Sequence, residues 1–107
     1  MYIVYISEAH PLDGWHLNTA TQPKVSQHAS INDRLTAVKY FAEETRKITT
    51  TPILVDDMTN EVDEFFQAHP ERLVIMDGSK VYFIGGEGPF GYSIEETESN
   101  LKRLLNQ

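Results

Sequence analysis

The sequence predicts an α/β fold, a mixed sheet carrying helices on its faces in the order β-α-β-α-β-β-α. Three observations predict it. Short apolar runs at residues 2–6, 52–56, 72–77 and 80–84 are rich in β-branched and aromatic side chains and bounded by turn residues. Other segments place apolar residues at helical spacing behind Ser or Asn caps. The first two runs flank one such segment, and strand, helix, strand in that order implies a right-handed crossover and a parallel pair.

Each element has its own reason. Tyr2-Ile-Val-Tyr-Ile6 is continuous and apolar, the pattern of a strand buried on both faces. Residues 7–29 have no period, contain Pro11, Gly14 and Pro23, and read as a long loop of the kind that serves function. Ser30 is an N-cap with Asp33 as its partner. Ile31, Leu35, Val38 and Ala42, with Phe41 beside them, form the apolar stripe of a helix over residues 31–47. Thr49-Thr-Thr-Pro52 ends it, and residues 52–56 make the second buried strand.

Asp56-Asp57 caps the turn that follows. Asn60 caps a short helix over residues 61–68 that buries Val62, Phe65 and Phe66, and Pro70 stops it. Asp77-Gly-Ser between the last two runs is a hairpin signal. Residues 85–92 form a glycine-rich loop. Ser93-Ile-Glu-Glu96 is a capping box opening a final helix that buries Ile94, Leu101, Leu104 and Leu105.

At 107 residues the chain is one domain by length, residues 1–107, with no internal repeat or linker. Nine basic against 16 acidic residues leave a formal net charge of −7. Such a chain has no electrostatic footprint for nucleic acid, and an anionic membrane repels it. No apolar run approaches the roughly 20 residues of a membrane span, and no signal-peptide pattern is present. A soluble, cytoplasmic protein is the default expectation. There is no cysteine, which excludes disulfides, thiolate metal sites and a thiol nucleophile within these residues.

Gly86-Glu-Gly-Pro-Phe-Gly91 matches G-x-G-x-x-G, yet it is rejected as a dinucleotide fingerprint. The preceding strand belongs to an antiparallel hairpin, Pro89 has no N–H, and Glu87 repels a pyrophosphate. Glu8, His10, Asp13, His16 and His28 carry groups that suit zinc, but the H-x5-H spacing fits no regular helix face. As an acid–base set, Glu8 and His10 are more telling. They alternate with Ala9 at the C-terminal end of a strand, so both side chains point one way. A solvated loop with one packed histidine is the alternative, and composition alone favours it. Trp15 reads as a lid over the core. Glu71 and Arg72 precede a buried strand, so one of them faces inward and needs a partner.

Glu8-Ala-His-Pro-Leu-Asp-Gly-Trp15 closely resembles the EAHxxDGW signature of the iodothyronine deiodinases. Gln27-His28, Asn32-Asp-Arg-Leu35, Pro52-Ile-Leu-Val-Asp56, Pro70-Glu-Arg-Leu73 and Gly88-Pro-x-x-Tyr92 follow in family order at close to family spacing, so the resemblance covers nearly the whole chain. It implies a thioredoxin-like, peroxiredoxin-related fold. It also implies reductive removal of iodine from thyroid-hormone-like iodinated phenols, using selenocysteine (sometimes cysteine) and an external thiol reductant. No bound cofactor is implied.

Carried over residue by residue, the resemblance makes Glu8, His10, His28 and Glu71 the catalytic set, with Glu8, His28 and Glu71 relaying protons and His10 steering substrate. It places substrate contacts at His10, Trp15, Arg72, Gly88 and Tyr92. Glu87 stands where some members carry a basic residue. The family's nucleophile lies on a strand–loop–helix unit upstream of the strand that begins this chain. Without that unit the expected fold is an incomplete thioredoxin-like one and the chain is expected to be inactive by itself. The family's nucleophile strand sits centrally in the sheet, so its loss implies exposed edges and hence a homodimer or strand exchange. The competing expectation is a non-catalytic thioredoxin-fold binding or scaffolding module.

Overall fold

The computed structural model describes residues 1–14 and 25–107. They fall into two compact units, Met1–Phe65 and Phe66–Gln107. The elements follow the predicted order: β1 (Ile3–Tyr5), α1 (Ile31–Thr45), β2 (Ile53–Val55), α2 (Glu61–Phe66), β3 (Val74–Asp77), β4 (Lys80–Ile84) and α3 (Ile94–Leu105). The single mixed sheet is corrected. The described strands form two two-stranded sheets, β1 with β2 and β3 with β4.

In the first unit β1 and β2 are parallel, with Ile3 opposite Ile53 and Tyr5 opposite Val55. Backbone bonds from Ile3 N to the Pro52 carbonyl and from Asp56 N to the Tyr5 carbonyl, both 2.9 Å, extend the ladder at each end. The crossover helix starts at the predicted cap. Ser30 Oγ accepts from Asp33 N, and the Asp33 carboxylate accepts from Ala29 N, which satisfies one donor of the first turn and one just ahead of the cap.

Expectations about burial in this unit fail. Neither face of β1 is fully buried: its three residues are half-buried and Tyr2 is exposed. The inward face of α1 is also turned from the predicted stripe. Arg34 and Ala37 are buried, Val38, Phe41 and Ala42 half-buried, and Ile31 and Leu35 exposed. The reason is a polar one, since Arg34 finds its hydrogen-bond acceptors only on the inward side.

The turn after β2 is built by a side chain. Asp56, 1% exposed, accepts from Asp57 N and Val62 N through Oδ1 and from Asp63 N through Oδ2. The predicted capping by Asp56-Asp57 holds. Asn60 holds the cap position, its carbonyl accepting from Glu64 N, but its backbone is left-handed (φ 57°) and its side chain does not cap, since Oδ1 accepts from Arg34 instead. The helix it precedes is short and buries no residue fully, and Phe65 is 75% exposed.

In the second unit β3 and β4 form the predicted hairpin, Asp77 opposite Lys80. Gly78 occupies the turn at φ 61°, a conformation glycine adopts without steric cost. Ser93 Oγ accepts from Glu96 N at the start of α3, as the capping box predicts. The expected burial of α3 is corrected. Ile94 is 64% exposed, Leu105 73%, and Leu101 is exposed as well. A helix of three turns packed on β3 has too narrow a two-stranded face to cover its apolar side.

Asp56→Ala leaves two helix-start donors and one turn donor without an acceptor and is expected to lower stability by about 2–4 kcal/mol. Urea unfolding should show this as a lower midpoint with an unchanged slope.

Candidate active site

The loop after β1 brings the chemistry together. Glu8 lies three residues past the last residue of β1, and its Oε1 accepts a hydrogen bond from the Tyr5 hydroxyl. His28 Nε2 lies 3.1 Å from the same oxygen. His28 stands just ahead of the α1 cap and is buried, whereas the Glu8 side chain keeps 18% of its surface. The Tyr5 ring is held in turn, edge-on to Phe41 at 5.2 Å between centroids and tilted against His28 at 6.0 Å. One carboxylate oxygen thus meets a phenol and an imidazole in a mostly buried place.

Burial raises the Tyr5 phenol well above its ordinary range. The hydrogen bond to Glu8 and the charge of Glu8 add to this, and the Arg34 charge opposes it. Tyr5 is therefore a donor to Glu8 across the physiological range. The arrangement fixes a carboxylate at the partly open loop, a group able to take part in acid–base chemistry there.

Two residues in this cluster were not singled out as site residues by the sequence. Gln27 grips the backbone of Glu8 at two points: Oε1 accepts from Glu8 N (3.0 Å) and Nε2 donates to the Glu8 carbonyl (2.9 Å). Its own N–H donates to Asp13 Oδ1. Arg34 Nε donates to His28 Nδ1 at 2.9 Å. The signal for Arg34 was available, for it lies one turn ahead of Val38 and two ahead of Phe41 on one helix face.

The predicted set is divided between the two units. Glu8 and His28 meet directly in the first; His10, half-buried, belongs to the same loop. Glu71 lies in the second, exposed, with its carbonyl accepting from Gly88 N at 2.8 Å. A side chain at Gly88 would overlap the Glu71 carboxylate, so the glycine is needed for that close approach. Arg72, expected among the substrate contacts, is occupied elsewhere. Its Nε donates to the Gly85 carbonyl and its Nη1 to those of Phe66 and Gln67, which answers the need for an inward partner at this position. Tyr92 is exposed. Trp15 and His16 lie outside the described residues.

Among the described residues, no three His, Cys, Asp or Glu side chains converge to hold a metal ion. No described helix is long and apolar enough to cross a membrane. The strand before the glycine-rich loop is antiparallel to its neighbour, as the rejection of a dinucleotide fingerprint required.

Comparison with known proteins bears on this site. A family model described as iodothyronine deiodinase matches residues 1–105. The chain is 35% identical over 105 residues to thyroxine 5-deiodinase of Bos taurus, covering 98% of this chain and 34% of that protein. It is 38% identical over 101 residues to type I iodothyronine deiodinase of Xenopus laevis, covering 94% and 38%. Thyroxine 5-deiodinase of Homo sapiens is 33% identical over 105 residues, covering 98% and 33%. The chain spans about a third of the length of these relatives.

The raised Tyr5 phenol makes a pH prediction. In the folded chain this phenol binds its proton more tightly than in the unfolded one. Its stabilising contribution is whole below about pH 10 and is lost as pH rises through the higher folded value. Absorbance titration should show a step from Tyr5 above the ordinary phenol range. Tyr5→Phe should remove that step and flatten the fall of stability above about pH 10.

Proposed function

This chain belongs to the iodothyronine deiodinase family, and on that premise we propose that it supplies the proton-handling part of a reductive deiodination of iodinated phenols related to thyroid hormone. In that reaction an aromatic carbon–iodine bond is replaced by carbon–hydrogen and iodide leaves. Two thiols give the electrons and end as a disulfide, releasing one further proton. The observation that carries the reading is the meeting of Tyr5, Glu8 and His28 at one carboxylate oxygen. The carbon that loses iodine has to gain a proton, and in this reading Glu8 gives it.

In this reading Tyr5 and His28 hold Glu8 in position, Glu71 serves as a second acid, and His10, Trp15, Gly88 and Tyr92 contact the substrate. Selenocysteine or cysteine would supply the nucleophile, and these 107 residues contain neither. They are therefore proposed to be inactive alone. Non-catalytic binding by a thioredoxin-like module is the second reading, one that needs no thiol. Self-association or strand exchange goes with either, because each described sheet has only two strands.

Iodide release from thyroxine with dithiothreitol separates the readings. The 107 residues are expected to release none. Extended upstream by a cysteine-bearing strand–loop–helix, the chain is expected to turn over, and Glu8→Gln should then cost about 10²–10⁴-fold in kcat. An extended chain that binds thyroxine without turnover favours the module. Full activity in the Glu8→Gln variant removes Glu8 from the chemistry. Light scattering should give a mass above one chain that falls on dilution, and a monomer at every concentration refutes the self-association.

A further inference from the structure

Arg34 is buried to 2% exposure, and its guanidinium is surrounded by neutral acceptors. Nε donates to His28 Nδ1 at 2.9 Å. Nη1 donates to the carbonyls of Asp56 and Asp57 at 3.1 and 2.8 Å, and Nη2 to Asn60 Oδ1 at 3.0 Å. These bonds on three nitrogens of one planar group leave it no room to swing aside.

Guanidinium nitrogens donate and do not accept, and the group keeps its charge in proteins. A hydrogen bond from Arg34 Nε therefore requires a bare lone pair on His28 Nδ1. The ring's hydrogen then sits on Nε2, 3.1 Å from Glu8 Oε1. We propose that Arg34 is a positioning residue that sets the tautomer of His28 and makes it a one-proton donor to Glu8. Use of this tautomer in catalysis rests on the deiodination reading; the assignment itself stands on the geometry.

The consequence is specific. A histidine that conducts protons takes one on the first ring nitrogen and gives one from the second. At Nδ1 the Arg34 N–H already occupies the approach, so His28 holds Glu8 in place and does not feed it. A proton spent by Glu8 then returns from the open loop. The relay expected through His28 becomes a fixed support.

The test is a long-range nitrogen–proton correlation spectrum of the histidine rings in the 107-residue chain at neutral pH, with His28 assigned through His28→Gln. Expected are a bare Nδ1 and a protonated Nε2. Arg34→Met should lose that pattern, the hydrogen moving to Nδ1 or both nitrogens becoming protonated. A protonated Nδ1 in the wild type overturns the proposal, as does an unchanged pattern in folded Arg34→Met. The wild-type spectrum needs no variant, so it decides even where Arg34→Met fails to fold. A bare Nδ1 together with no iodide release from the extended chain sinks the deiodination reading and leaves the Arg34 assignment standing. Iodide release with a protonated Nδ1 does the reverse.

Discussion

A guanidinium ion taken out of water has to be rehydrated by the chain itself, and the first unit is arranged around that demand. Stripping a charged group of solvent costs several kcal/mol, and only well-aimed acceptors offset it. Arg34 takes its acceptors from three places: the end of β2, the start of α2 and the segment ahead of α1. No ion pair is needed among them. Two of the acceptors are the backbone carbonyls of Asp56 and Asp57, and the Asp56 carboxylate keeps that backbone turned by accepting from Asp57, Val62 and Asp63. Two buried charges of opposite sign are thus coupled through the peptide groups between them. Removing either would leave its own partners unmet, which is the costly case for buried polar groups.

The same demand explains where the sequence was legible. Order and type of every element followed from caps, turn residues and apolar runs, because those are local and read within a few residues. Ser30, Ser93 and Asp77-Gly78 did what their chemistry requires. What escaped was which way the elements face. The stripe Ile31, Leu35, Val38 and Ala42 assumed that apolar residues choose the inward side of α1. Arg34 took it, because its acceptors on His28, Asp56, Asp57 and Asn60 all lie on that side and offset the loss of solvent. Asn60 misled for a related reason: its side chain is an acceptor for Arg34, and Asp56 caps the helix from four residues earlier. The sheet was read as one because runs of residues do not say which strands lie side by side.

The site was legible through its letters more than through its geometry. In Glu8-Ala-His-Pro-Leu-Asp-Gly, chemistry and scaffolding are interleaved. Glu8 is the residue to which the proposed reading gives the proton. Asp13 receives the N–H of Gln27, and Gly14 lies against the ring of Pro11 where a side chain would collide. Gln27 then closes the circuit. Its amide is a donor and an acceptor at the spacing of a peptide group, so it serves Glu8 as a neighbouring strand would. Nothing in the pattern of apolar residues points to such a bond, which joins two loop positions far apart in the chain.

Apolar burial could not have set this geometry. Of the described hydrophobic residues only Ala37 in the first unit and Ile75 in the second are buried, whereas His28, Arg34 and Asp56 are. Apolar contact is non-directional and lets a side chain slide by fractions of an ångström at little cost. Hydrogen bonds between fixed forks and lone pairs do not. A carboxylate that must present one oxygen to a phenol and an imidazole is better placed by the second kind of force. Each bond in the chain from Asp56 through Arg34 and His28 to Glu8 has a required direction. A loss anywhere along it is therefore felt at the carboxylate, even where the substituted residue never touches a substrate.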